Sequence, residues 1–181
     1  MTEVSELSDF KTLYKADLHR YGHAKVLVYI RIWHFLHRKA QTRKNPVSRF
    51  FFKTLFRLHS RRRGIEIPTC CKIGKGLYVG HFYNVTINGG AVLGNNCNIH
   101  KGVTIGVECR GARRGAPTIG NCVSIGVNAT IVGKITIGDD VLIAANSFVN
   151  CDIPSHSVVL GNPCIIKPRD HATKGYVEAL V

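Results

Sequence analysis

Acidic residues are missing from one long stretch of this chain: between Leu18 and Arg63 there is neither Asp nor Glu. Residues 1–63 hold 15 Lys and Arg against only Glu3, Glu6, Asp9 and Asp17, a net of +11 out of the chain's +14. Such a segment either faces an anionic partner or tolerates one nearby. Long apolar runs are also missing, since none approaches the ~18 residues that a membrane span requires. No basic-then-apolar leader opens the chain. A cytoplasmic protein is therefore expected, at the inner face of the membrane if its basic part touches lipid. None of the seven cysteines falls in a ligand-like Cys-x-x-Cys spacing, which argues against a metal or redox site and for reduced packing residues. The basic segment carries no nucleic-acid-binding motif, so DNA and RNA are not expected as partners.

What the chain does have is a count of six. From Ile119 an aliphatic residue returns at every sixth place: Ile125, Ile131, Ile137, Ile143, Val149. Upstream the same spacing joins Ile73 to Val79, and Ile87 to Leu93, Ile99 and Ile105. Small or β-branched residues occupy the fourth places of the series from Ile119, Val123, Ala129, Ile135, Val141 and Ser147, and upstream the fourth places hold Leu77, Ala91, Cys97 and Val103. A period of six suits neither an amphipathic helix nor a strand that alternates faces. It suits a solenoid whose coils each stack an aliphatic residue on the coil below, with Gly and Asn at the corners.

Two interruptions of the count are informative. Val79 to Ile87 is a step of 8, a two-residue slip within Gly-His-Phe-Tyr-Asn-Val-Thr-Ile, and Ile105 to Ile119 is a step of 14, which extrudes about eight residues. Before the repeat, apolar residues have helical spacing over residues 5–20 (Leu7 to Leu18), about 23–42 (Val26 to Leu36) and from Val47 to about His59, with Asn45-Pro46 separating the last two. The division expected is a basic α-helical segment over 1–63, a β-solenoid domain over 64–168 with an extruded loop at 107–118, and a polar tail over 169–181. The helices read either as a cap on the first coil or, because Arg and Lys alternate with aromatics, as a peripheral contact with an anionic membrane.

These features resemble a known family. The sixfold repeat, the loop that follows Gly102-Val103-Thr104-Ile105-Gly106 and the closing Pro-Ser-His-Ser-Val-Val-Leu-Gly-Asn-Pro of residues 154–163 are similar to the hexapeptide-repeat acyltransferases, nearest to their serine O-acetyltransferase branch, over about residues 70–168. The resemblance implies a mainly β fold, a left-handed parallel β-helix with an N-terminal α-helical cap. It also implies a homotrimer with acetyl-coenzyme A (acetyl-CoA) in the groove between subunits, and no metal. Where that branch carries Asp before a His, this chain has Gly80. Where its loop carries Asp-Arg-His-Pro, with Arg and His helping to hold the amino acid, this chain has Arg114, Gly115, Ala116 and Pro117. Those departures shift the expected acceptor towards a saccharide hydroxyl, as in relatives that acetylate surface glycans such as capsular polysaccharide. L-serine, for cysteine biosynthesis, is the alternative, and a non-catalytic β-helix scaffold is the alternative of another class.

Three hexads make a turn, so stacking distances of 18 residues, corrected for the slip and the loop, place His81, Lys101, Val127 and Ala145 in one column. Gly106, Gly126, Val127, Ala144 and Ala145 are expected to leave bare backbone against which a thin pantetheine arm can lie, and Lys167 to meet a coenzyme phosphate, as the resemblance suggests. His81 is expected as the general base that takes the alcohol's proton, and Lys101 or a backbone N–H of the next coil as a donor to the oxyanion. Asn84, Glu108 of the loop or a backbone carbonyl is expected to orient the ring. Arg110, Arg113 and Arg114 on the loop are expected to hold an acidic group of coenzyme or acceptor. His100 competes with His81, because adjacent strand residues point to opposite faces and only one of the two would then face the groove.

Overall fold

The structure is a computed structural model that describes residues 9–22 and 27–181; the helix starts expected at residues 5 and 23, with Leu7 and Val26, lie outside the described residues. Three helices come first: α1 (Phe10–His19), α2 (Val28–Thr42) and α3 (Pro46–Arg61). Asp9 caps α1 by accepting the Thr12 amide at 3.0 Å. Asn45 caps α3, accepting the Val47 and Ser48 amides at 3.0 and 3.1 Å, and Pro46 sits at the first helical position, where its missing N–H costs nothing.

From Ile65 the chain winds as a left-handed parallel β-helix with three faces. The first face stacks Ile65–Glu66, Val85–Ile87, Thr104–Gly106, Thr130–Val132 and Phe148–Val149. The second stacks Lys72–Ile73, Val92–Leu93, Thr118–Ile119 and Thr136–Ile137. The third stacks Tyr78–Gly80, Asn98–His100, Ser124–Ile125, Val141–Ile143 and Ser157–Leu160, and an antiparallel strand, Ile165–Pro168, closes it. The sixfold aliphatics form one ladder per face: Ile87, Ile105, Ile131, Val149; Ile73, Leu93, Ile119, Ile137; and Val79, Ile99, Ile125, Ile143. Every one is buried, as are the fourth-place residues Leu77, Ala91, Cys97, Val103, Val123, Ala129 and Val141. Burial pushes the Cys97 and Cys71 thiols up to about 12, so both are inert packing groups. Cys70, Cys109 and Cys151 are exposed instead, so the packing role expected of most cysteines does not extend to these three.

A solenoid leaves its first coil with unpaired backbone groups, and here the helices supply the missing partners through side chains. Buried Arg38 donates to the carbonyls of Ile73 and Gly74 at 2.9 and 2.7 Å, and Gln41 donates to that of Cys71 at 3.0 Å. Asp17 accepts the Leu77 amide at 2.9 Å. Tyr21 closes the next strand from both sides, its hydroxyl accepting from the Val79 amide at 3.1 Å and donating to the Val79 carbonyl at 3.2 Å. Behind these bonds Trp33, Leu36 and Phe56 extend the solenoid's core into the helices. The helices therefore do form the cap.

The tail, on whose shape the sequence is silent, is docked. Asp140 accepts the amides of Ala172 and Thr173 and the Thr173 hydroxyl at 3.0, 2.9 and 2.6 Å, and Asn96 exchanges two bonds with Val181. Among the described residues no helix is long and apolar enough to cross a membrane.

Candidate active site

The two-residue slip falls on the corner between the third and first faces. His81 and Asn84 both adopt left-handed backbone there, at φ 52°. Non-glycine residues rarely do so, and here the turn's neighbours hold it. Phe82 is buried in the cap, 5.2 Å ring to ring from Trp33 and 6.0 Å from Tyr29 and from His34. The Asn84 amide donates to the Arg63 carbonyl at 3.0 Å, and the Tyr83 carbonyl accepts from Gly102 on the next coil. With Phe82 driven inward, His81 is left exposed on the outside of the corner.

Lys101, Val127 and Ala145 continue up that corner, because Gly80 pairs with His100, Ile99 with Ile125 and Ile125 with Ile143. The amides of Asn128 and Asn146 donate to the carbonyls of Lys101 and Val127 at 3.0 and 2.9 Å, which ties successive corners together. Gly126 cannot carry a side chain, since an added Cβ would lie 2.6 Å from the Ala145 nitrogen. Above His81 and Lys101 the corner presents half-buried Gly126, Val127 and Ala144 and exposed Ala145, edged by exposed Asn128 and Asn146.

His100 departs from expectation. Its ring lies beside that of His81, centroids 6.4 Å apart, so the two do not face opposite ways. The alternation rule stops at the strand end, and His81 is already in the left-handed turn. Burial and the neighbouring charge of His81 hold the His100 pKa below the usual histidine value.

The extruded loop leaves a different corner, between the first and second faces, following Gly106 and ending before Thr118. A two-bond bridge between Glu108 and Gly115 closes it, the Lys134 amide holds the Arg113 carbonyl at 2.8 Å, and Arg113 pairs with Glu108 at 3.1 Å. Within one chain, Arg110, Arg113 and Arg114 are therefore not brought to His81, and Gly106 does not join the column of Gly126, Val127, Ala144 and Ala145. Glu108 is engaged by Arg113 rather than orienting His81, and among the described residues no hydrogen bond joins Asn84 to His81. Lys167 is exposed on the closing antiparallel strand, paired with Val158. Among the described residues no three His, Cys, Asp or Glu side chains converge as a metal site.

No family model matches the chain. A serine acetyltransferase of Helicobacter pylori (strain ATCC 700392 / 26695) is 36% identical over 138 residues, 75% of each chain. One of Synechococcus elongatus is 30% identical over 191 residues, covering 96% of this chain and 75% of that one. The chain belongs to the serine acetyltransferase family. Its fold agrees with solved members: the soybean apoenzyme superposes with a TM-score of 0.75 at 28% identity, covering 88% of this chain and 69% of that one. The Neisseria gonorrhoeae enzyme in complex with serine gives 0.68 at 29% identity, covering 87% and 69%. Like its relatives, the chain is an acyltransferase, which removes the scaffold reading. The preference for a saccharide acceptor finds no support among these relatives, all of them serine acetyltransferases.

Three features of this site were missed in the sequence. Phe82 signals itself only as an aromatic inside the slip, whereas the Tyr21 clamp and the approach of His100 to His81 join residues with no local pattern between them.

Proposed function

We propose that this family member transfers the acetyl group of acetyl-CoA to the hydroxyl of L-serine, with His81 as general base. The observation that carries the reading is an exposed imidazole on an anchored left-handed turn, at the foot of a column of small residues. A ring nitrogen of His81 takes the hydroxyl proton as the oxygen attacks the thioester carbon. Lys101, one coil up, faces the oxyanion that forms. The C–S bond then breaks, and the proton passes from His81 to the departing thiolate. No acyl-enzyme is needed. Gly126, Val127, Ala144 and Ala145 accommodate the pantetheine arm, and Lys167 meets a phosphate of the coenzyme.

The corner that carries His81 and the corner that carries Arg110, Arg113 and Arg114 can share a cleft only across a subunit boundary. That supports a homotrimer in which the loop of one protomer reaches the acceptor of the next. The test is coenzyme release with acetyl-CoA and a panel of hydroxyl acceptors, run on protein whose light-scattering mass is three times 20.0 kDa. L-serine is expected to give at least ~10-fold more release than any saccharide, a discrimination within the range of an acceptor site built on hydrogen bonds. A faster saccharide would reverse the assignment.

We also propose peripheral contact between the cap and anionic lipid. Val47, Phe50, Phe51 and Leu58 are exposed along α3 beside Arg49, Lys53 and Arg57, an amphipathic arrangement suited to such a surface. Co-sedimentation with phosphatidylglycerol vesicles is expected, and to be lost in the Phe50→Ser/Phe51→Ser variant; equal sedimentation of both proteins would remove the idea.

A further inference from the structure

We propose that His100 is a second catalytic imidazole, which donates a hydrogen bond to the same acceptor oxygen whose proton His81 removes. The inference rests on the acetyl-transfer reading above and deepens it. Its first support is distance. Two imidazoles joined directly by an N–H···N bond of about 2.9 Å would have centroids roughly 5.2 Å apart. At 6.4 Å the rings of His81 and His100 are too far apart for that bond. They are spaced instead to share one atom: an oxygen about 2.8 Å from a nitrogen of each ring would meet the two at roughly the tetrahedral angle of a hydroxyl. Among the described residues no hydrogen bond engages either ring, so both have nitrogens available to such an oxygen.

The second support is Gly80. It is ordinary strand backbone, so no left-handed conformation explains a glycine there. What explains it is His100: a Cβ on residue 80 would lie 2.7 Å from His100 Nδ1 and 3.0 Å from Cε1, and 3.1 Å from Tyr78 Cε1. The bare backbone at Gly80 makes room for the ring of His100 to lie over it, one coil above His81. With Nδ1 and Cε1 nearest Gly80, Nε2 is the nitrogen left for the acceptor. The charge that His81 gains on taking the proton opposes a second charge on His100, so His100 acts as a neutral N–H donor while His81 acts as base. A hydroxyl held from two sides has its lone pair and its proton fixed before attack.

The experiment measures coenzyme release from acetyl-CoA with L-serine and, alongside, its slow hydrolysis by water, which passes between the same two rings whichever alcohol is preferred. His100→Leu is expected to lower kcat/KM for L-serine and the hydrolysis rate about 100-fold, the usual loss for one donor in such a site, with the Kd for acetyl-CoA unchanged. His100→Gln, which restores an N–H, is expected to recover at least ~10-fold of that. Gly80→Ala is expected to match His100→Leu, and the double variant to be no worse than either. His100→Leu within twofold of the parent would overturn the proposal, and so would His100→Gln as slow as His100→Leu, which marks a packing role. Loss of the L-serine reaction in the parent with the hydrolysis pattern intact would sink only the acceptor assignment. A fully active His81 variant would sink the base assignment.

Discussion

His81→Asn is expected to lower coenzyme release at least ~1,000-fold while leaving the melting temperature within a few degrees of the parent. Asparagine is the informative replacement because the turn requires φ 52°, a conformation that Asn tolerates better than Ala, so loss of activity is not confused with loss of the turn. His81 is exposed and Phe82 supplies the turn's anchor, so little packing is removed. Acetyl-CoA should bind as before, because the small residues proposed to accommodate it lie higher on the corner. Measuring release together with circular dichroism melting separates the two effects. Full activity in this variant would move the base to His100.

The second large effect is expected at the cap. Asp17 is fully buried and accepts from Arg38 at 2.7 and 2.9 Å, from His34 at 3.2 Å and from the Leu77 amide at 2.9 Å. Burial alone would push its carboxyl up, but the charge of Arg38 and the bonds from His34 and Arg38 outweigh it, and the pKa lies well below the usual carboxylate range. Its contribution to stability is therefore present above the unfolded carboxylate's pKa, and is lost as pH falls through the lower folded value. Asp17→Asn is expected to cost about 3–5 kcal/mol by leaving Arg38 an unmatched buried cation, with a fall in Tm of roughly 10 °C. Buried ion pairs can often be exchanged for apolar pairs without loss. Here Asp17→Leu/Arg38→Met should not recover, because Leu77, Ile73 and Gly74 would keep backbone groups with no partner. Thermal melts of the two variants decide it: a double variant as stable as the parent would show that the coil edge needs no such partners.

The ladders were legible in the sequence because each short strand sends one aliphatic residue to the axis, so burial leaves a mark at every sixth place. The slip and the loop were legible for the same reason, since an insertion shifts the count without erasing it. The cap's bonds were not. Asp17 meets Leu77 across 60 residues and Tyr21 meets Val79 across 58, and each uses a side chain to satisfy a backbone group, which imposes no periodicity. His100 was misread for a different reason. Alternation of side chains holds within a strand, and the corner residue His81 had already left it. The break in the count marks the segment that carries the loop's arginines, yet counting along one chain cannot show that they leave a different corner from His81. That fact is also what makes a neighbouring protomer part of the proposed site.

Both ends of the β-helix are sealed, one by the side chains of Arg38, Gln41, Asp17 and Tyr21 and the other by the reversed strand Ile165–Pro168. Neither seal depends on how many coils lie between them. The docked tail does count the coils: it runs from Asp140 down to Asn96, so 18 residues spliced between them would draw Val181 off Asn96. Removing the helices would instead bare the first coil as an adhesive end to which the strands of another copy could add.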